Sequence, residues 1–243
     1  MAGASLHFDL TASDGRARAG SLHLKGRRLE TPLFMPVGTN ATVKALTVDE
    51  LKSIDYQLIL GNTYHLHLRP GDEIIQQLGG LHRFMNWDRC LLTDSGGFQI
   101  FSLAKLTKIS DDGVWFQNHI DGTPMFLTPE ASIKIQENLG SDIMMVLDEC
   151  LAIPSKRDRV ESSIALTTRW AKRSFAARQS SNALFGIVQG AEYEDLRLAS
   201  AQMITEIDFD GFAIGGLSVG ESKEMMTQLL EGSTPVSPVD KPR

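Results

Sequence analysis

Leu91-Leu92-Thr93-Asp94-Ser95-Gly96-Gly97-Phe98-Gln99 sets two aliphatic residues ahead of a carboxylate, a hydroxyl, two glycines and an aromatic ring. This is the pattern of a buried strand ending in a polar tip and opening into a tight turn. A parallel strand presents functional groups at its C-terminal end, which puts Asp94 and Ser95 where an active site would stand. The glycines allow backbone N–H groups close approach to a flat or anionic ligand, and Phe98 is placed to stack on it. A motif this short also fits a plain strand-to-turn junction whose Asp caps the next segment.

Other stretches repeat the pattern. Leu33-Phe34-Met35-Pro36-Val37 ends in Gly38-Thr39, and Gln57-Leu58-Ile59-Leu60 ends in Gly61-Asn62-Thr63. Asp142 to Leu147 ends in Asp148-Glu149-Cys150, Ala183 to Val188 in Gln189-Gly190, and Phe212-Ala213-Ile214 in Gly215-Gly216-Leu217. Between them the sequence predicts helices over Thr47 to Ile54 with Thr47 as N-cap, Pro129 to Leu139 behind Thr128, Arg157 to Arg178, Tyr193 to Ile207 and Ser222 to Leu230. Continuous apolar strands alternating with helices indicate a parallel sheet covered by helices. Strand starts recur at about 25 to 40 residues, the size of a βα unit.

Ahead of these units, Ser5 to Leu10 and Ser21 to Leu24 alternate about a turn at Ser13-Asp14-Gly15, predicting an antiparallel hairpin. Lys25-Gly26-Arg27-Arg28 reads as a solvated loop rather than a phosphate site. After the third strand, Val114 to Gln117 and Pro124 to Leu127 predict an inserted hairpin with Asp121-Gly122 at its turn. Roughly six βα units are present, where a closed barrel needs eight. No Gly-x-Gly-x-x-Gly follows the first strand, which weakens a dinucleotide-binding reading. The expected fold is an incomplete (β/α)₈ barrel forming one domain over residues 1–243.

Composition sets the frame. The 243 residues are 42% hydrophobic and 22% charged, ordinary for a soluble globular chain. No apolar run is long enough for a membrane span, and residues 1–7 lack a signal-peptide pattern. Cys90 and Cys150 are too few for a disulfide framework or a zinc site and favour a reducing, cytoplasmic setting. A net charge of −6 argues against broad non-specific nucleic-acid binding. Arg169, Lys172, Arg173 and Arg178 form a basic stripe that reads as a solvated helix face before an RNA surface. His65 and His67 lack the spacing of a metal pair.

In a barrel the tips converge: Asn62, Thr63, Asp94, Ser95, Asp148, Gln189, Gly215 and Gly216. Two carboxylates, a carboxamide and backbone amides suit the edge of a guanine-like base. A carboxylate accepts its N–H groups, while Gln189 and a glycine N–H serve its O6.

The motifs closely resemble the tRNA-guanine transglycosylase (queuine tRNA-ribosyltransferase) family. The resemblance rests on Phe34 to Thr39, Leu60 to Leu66, Leu68 to Gly71, Thr93 to Gln99, Gly140 to Ile143, Leu147 to Cys150, Gly186 to Gly190 and Gly211 to Leu217. It implies a TIM barrel that exchanges the wobble guanine of tRNAs with GUN anticodons for a 7-deazaguanine in queuosine biosynthesis. The reaction is a double displacement through a covalent ribosyl-aspartate. By this similarity Asp94 is the acid/base residue, Ser95, Gly96, Gly97 and Phe98 line the pocket, and Asp148, Gln189 and Gly216 read the base edge, with Gly215 and Leu217 beside them. Cys150 and Val219 match the bacterial branch, which uses 7-aminomethyl-7-deazaguanine. Expected partners are tRNA, guanine and the incoming base, with a second copy of the chain in a homodimer.

The family continues beyond a stretch like Asp240 to Arg243 with two more strands. On that part the resemblance places the nucleophilic aspartate and a Cys-x-Cys-x-x-Cys…His zinc site. The expectation is therefore a C-terminally truncated chain with no metal ligands of its own. An inactive fragment, or a non-catalytic partial barrel that binds a purine or another subunit, is the alternative.

Overall fold

A computed structural model describes residues 6–103, 105–234 and 238–243. The expectations for residues 1–5 and 235–237 lie outside these. β1 (Leu6–Asp14), β2 (Ala17–Leu24) and β3 (Arg27–Thr31) form an antiparallel meander in the order β1-β2-β3. The hairpin expected here thus gains a strand. Lys25 and Gly26 are its turn, both at positive φ, rather than part of a loop running on to Arg28. β3 escaped the sequence reading because only Leu29 of its five residues is buried, so no alternation shows.

The parallel sheet follows. β4 (Val37–Gly38) is much shorter than its apolar run, and Phe34 is 72% exposed. α1 (Val48–Ser53) starts at Thr47 with a full capping box to Glu50, as its sequence predicts. β5 (Leu58–Gly61) leads into three six-residue helices, α2 (Thr63–Leu68), α3 (Asp72–Gln77) and α4 (Gly80–Met85). None of the three was expected, since so short a helix carries no full period of apolar residues. β6 (Cys90–Thr93) and α5 (Gly97–Leu103) carry the Asp94 stretch between them.

The insertion is β7 (Lys105–Ile109), β8 (Val114–Gln117) and β9 (Pro124–Leu127), a three-stranded sheet rather than a hairpin. Its first strand has no polar–apolar alternation to announce it. The remaining elements are α6 (Pro129–Leu139), β10 (Ile143–Met145), α7 (Arg157–Ala177), β11 (Ala183–Val188), α8 (Glu194–Thr205), β12 (Gly211–Ile214) and α9 (Lys223–Ser233).

The six parallel strands lie in the order β12-β11-β10-β6-β5-β4, which is chain order read backwards. No ladder joins β12 to β4 among the described residues, so the sheet is open. Its strands are apolar on both faces. Ile59, Leu91, Met144 and Leu184 are buried on one side, while Leu58, Leu92, Ile143, Met145, Phe185 and Ile187 line a cleft on the other. The N-terminal meander packs Leu22, Leu24 and Leu29 into the same core as Leu58, Leu92 and Phe185. Phe212 donates its N–H to the Pro242 carbonyl (3.0 Å), so the last residues run along the outer edge of β12.

α6 shows how local chemistry sets an element. Thr128 Oγ1 accepts from Ala131 N–H (3.1 Å), Pro129 occupies the first turn, and Gly140 ends the helix at positive φ. Thr128→Ala removes the cap and is expected to cost about 1 kcal/mol. The urea midpoint should fall with an unchanged slope; an unmoved midpoint would show that the cap contributes nothing.

Candidate functional site

The strand tips meet at the C-terminal end of the parallel sheet, around an apolar cleft of about 530 Å³. The β6 tip puts Asp94 in its wall. Asn62 Nδ2, the Thr63 N–H (2.9 Å) and Gln99 Nε2 (3.0 Å) all donate to the Asp94 carboxylate. The residue retains some surface at the cleft, but protein surrounds its carboxyl. Burial pushes its pKa upward, and the bonds from Asn62, Thr63, Gln99 and the Gly96 amide pull against that shift. A carboxyl whose neutral form is favoured by burial is suited to hold a proton and pass it on.

Asp148 follows β10 and faces the same space. Gln189 Nε2 donates to its Oδ2 (2.6 Å) and Ser95 Oγ to its Oδ1 (3.2 Å). Burial raises its pKa to about 6, against those two bonds and with a small push from the Asp94 charge. Gln189 is itself held from behind, its backbone N–H donating to Ser200 Oγ (3.1 Å). Its amide packs against the Gly215-Gly216 turn. A Cβ on either glycine would stand 2.5 to 2.6 Å from the Gln189 side chain, so only glycine admits this approach.

Asp94, Ser95, Phe98, Asp148, Cys150, Gln189, Gly215 and Gly216 all line the cleft. Phe98 stands 47% exposed at its mouth, its ring 6.3 Å from that of Phe101. Gly96, Gly97 and Leu217 do not line it. Gly96 packs on the backbone of Tyr64, and a Cβ on Gly97 would meet the Asp148 carbonyl at 2.7 Å. Gly97 instead borders a second cavity of about 380 Å³ that shares Asp148 and Cys150 as a wall. The Cys150 thiol is pushed up to about 12 by burial and by the Asp148 charge, which leaves it protonated and unreactive at neutral pH.

The remaining candidates go elsewhere. His67 Nδ1 pairs with Asp72 (2.6 Å), whereas His65 sits edge-on to His119, whose Nδ1 meets Tyr64 Oη at 3.0 Å. Among the described residues no group of three or more His, Cys, Asp or Glu side chains could hold a metal. In the basic stripe Arg169 pairs with Asp111, Arg173 with Glu130 (2.7 Å) and Arg178 with Asp210 (2.6 Å). These cations fasten α7 to its neighbours.

Sequence reasoning passed over Gln99, Glu149, Arg159, Arg197 and Ser200. Arg159 pairs with the buried Glu149 carboxylate, fixing the backbone between Asp148 and Cys150. A signal existed for two of the others. Leu196, Arg197, Ser200, Ala201 and Ile204 form the buried stripe of α8, so an arginine and a serine occupy core positions.

A family model for queuine tRNA-ribosyltransferases matches residues 13–243 of this sequence. The chain belongs to that family. A queuine tRNA-ribosyltransferase of Natranaerobius thermophilus is 56% identical over 241 residues, covering 98% of this chain and 65% of the relative. That of Halalkalibacterium halodurans is 54% identical over 245 residues, covering 100% and 65%. That of Bacillus subtilis is 56% identical over 229 residues, covering 93% and 60%. The chain thus spans somewhat less than two thirds of the length of these queuine tRNA-ribosyltransferases. No helix among the described residues is long and apolar enough to cross a membrane.

Proposed function

We propose that the cleft is a purine-base site and that the chain serves in exchange of the wobble guanine of tRNA for a 7-deazaguanine. The observation that carries this reading is the Asp148–Gln189 pair beside Gly215-Gly216. Asp148 offers two acceptor oxygens to the N1–H and exocyclic amine of guanine. Gln189 and the Gly216 N–H offer donors to O6, and Phe98 offers a ring face at the mouth.

Asp94 is then the proton-transfer group. A departing base needs a proton as its bond to ribose C1′ breaks, and an incoming base must lose one from the same nitrogen. A carboxyl with a raised pKa in a water-poor wall suits both steps. Double displacement further needs a carboxylate to attack C1′. Asp94 and Asp148 are the only carboxylates lining the cleft among the described residues, and both already have roles. By the resemblance, the attacking carboxylate belongs to the strands that the family carries after a stretch like Asp240 to Arg243.

The open sheet is read as part of a (β/α)₈ barrel, its chain-ordered strands and clustered tips supporting that architecture. The zinc, the homodimer and the aminomethyl-deazaguanine belong to the same proposal. The residues described here do not fit a zinc ion, and no step passes through one. Two free, buried cysteines agree with a cytoplasmic setting.

Guanine titrations at several pH values test the reading. A protonated Asp148 lacks one acceptor, so affinity is expected to be full above pH 6 and to fall about tenfold per unit below it, following a carboxyl pKa of about 6. An affinity that stays flat between pH 5 and 8 would remove Asp148 from the base edge.

A further inference from the structure

The site described so far leaves unexplained a buried cation directly behind it. Arg197 lies on α8 with no accessible surface, and none of its hydrogen bonds goes to a carboxylate. Its Nε donates to the Ala191 carbonyl (2.7 Å), and its two terminal nitrogens donate to the carbonyls of Gly215 (2.9 Å) and Gly216 (2.8 Å). A full charge is costly to bury; the charges of Glu221 and Glu192 offset part of that cost, and burial still lowers this guanidinium to about 10, protonated at neutral pH. Close packing has been arranged for it: a Cβ on Gly190 would stand 2.6 to 2.8 Å from the Arg197 side chain and backbone.

We infer that Arg197 is a positioning residue, turning two consecutive peptide groups so that the Gly216 N–H donor faces the cleft and the Leu217 N–H turns away from the guanidinium on the same side. In a trans peptide the C=O of one residue and the N–H of the next point in opposite directions. Arg197 draws the Gly215 and Gly216 carbonyls to the buried side, so the following N–H groups point the other way. Neither has an acceptor among the described residues, whereas the preceding Gly215 N–H is used by the Val188 carbonyl (2.8 Å). Gly215 and Gly216 line the cleft and Arg197 does not, which places the guanidinium on its far side.

The charge adds to the geometry. A cation bonded to a carbonyl polarises that peptide and makes its N–H a stronger donor. Arg197 thereby helps build an acceptor-seeking surface beside Gln189, suited to an exocyclic oxygen. A planar fork is needed because the two carbonyls belong to successive residues. Lysine, a compact charge with three rotatable donors, lacks the rigid fork that holds both in one orientation.

This inference rests on the base-binding reading above, so its test separates the two. Guanine and 6-thioguanine share their N–H donors but differ in the acceptor at position 6, sulfur being the weaker. Calorimetry on the native chain is expected to favour guanine by about tenfold, the worth of one good hydrogen bond. In Arg197→Met and Arg197→Lys that ratio should collapse to within twofold, with thioguanine affinity changed much less than guanine affinity. Equal weakening of both ligands would reveal a merely structural arginine and overturn the inference. Amide hydrogen exchange at Gly215 supplies a readout that needs no ligand. It should quicken at least tenfold in either variant once the turn is released, while Ala183–Val188 stays protected. Unchanged exchange at Gly215 would overturn the inference even if the variants bind poorly. If the native chain binds neither base, the base-site reading fails, and the exchange measurement alone decides the role of Arg197.

Discussion

Asp148→Asn is expected to weaken guanine binding by about 2 to 4 kcal/mol, roughly 30- to 1000-fold. The substitution keeps the shape and exchanges one acceptor oxygen for an NH₂ group. That group then faces the N–H donors of the base, and both sides lose a partner in a space that excludes water. Gln189 would also lose the charge to which its Nε2 now donates at 2.6 Å. The fold should tolerate the change. Burial pushes Asp148 up to about 6, so holding it ionised works against the folded state at neutral pH, and the neutral amide relieves that cost. Calorimetry paired with a melting curve distinguishes the effects. Unchanged guanine affinity in a folded Asp148→Asn variant would refute the assignment of the base edge.

Asp94→Ala is expected to abolish base exchange, a loss of at least about 100-fold, since general acid–base groups contribute on that order or more. The measurement is entry of labelled guanine into tRNA, made on a form extended by the strands that the resemblance places after Arg243. Guanine binding should fall far less than exchange, because Asp94 handles the transferred proton rather than the base edge. Residual exchange within a few-fold of the parent would place proton transfer elsewhere. A companion experiment uses residues 1–243 with tRNA and the incoming base on a denaturing gel. No denaturation-resistant protein–RNA band is expected, because Asp94 and Asp148 are already committed. A band would put the attacking carboxylate on one of them.

The elements that were legible in the sequence are those with strong periodicity or an unambiguous stop. β11 spans the same six residues as its apolar run, and α6 begins and ends at its Thr-Pro and Gly signals. The tip residues were legible for the same reason: an uninterrupted apolar run that stops at Asp94, Asp148 or Gln189 leaves few other places for its end. What escaped has a common cause. β3 and β7 are held by pairing with the adjacent strands β2 and β8, and β3 and the short helices α2 to α4 are too exposed or too short for their own residues to show a full buried period. The supporting layer of the site was hidden similarly. Gln99 and Arg159 act on Asp94 and Glu149, five and ten residues away, and Arg197 acts on the Gly215-Gly216 turn across β12; no periodicity in the sequence marks any of these pairings.

The sheet's strand order has a consequence for how the molecule is made. β4, β5, β6, β10, β11 and β12 lie side by side in the order of their synthesis. Each new strand leaving the ribosome therefore meets an edge already formed by its predecessor, and no strand must wait for one still untranslated. The cleft is assembled in the same sequence: Asp94 first, then Asp148, then Gln189, with the glycine turn last. Arg197 emerges before Gly215 and Gly216, so its guanidinium is in place to capture their carbonyls on arrival. Once residue 216 has cleared the ribosome, the nascent chain thus already carries the whole polar wall of the cleft.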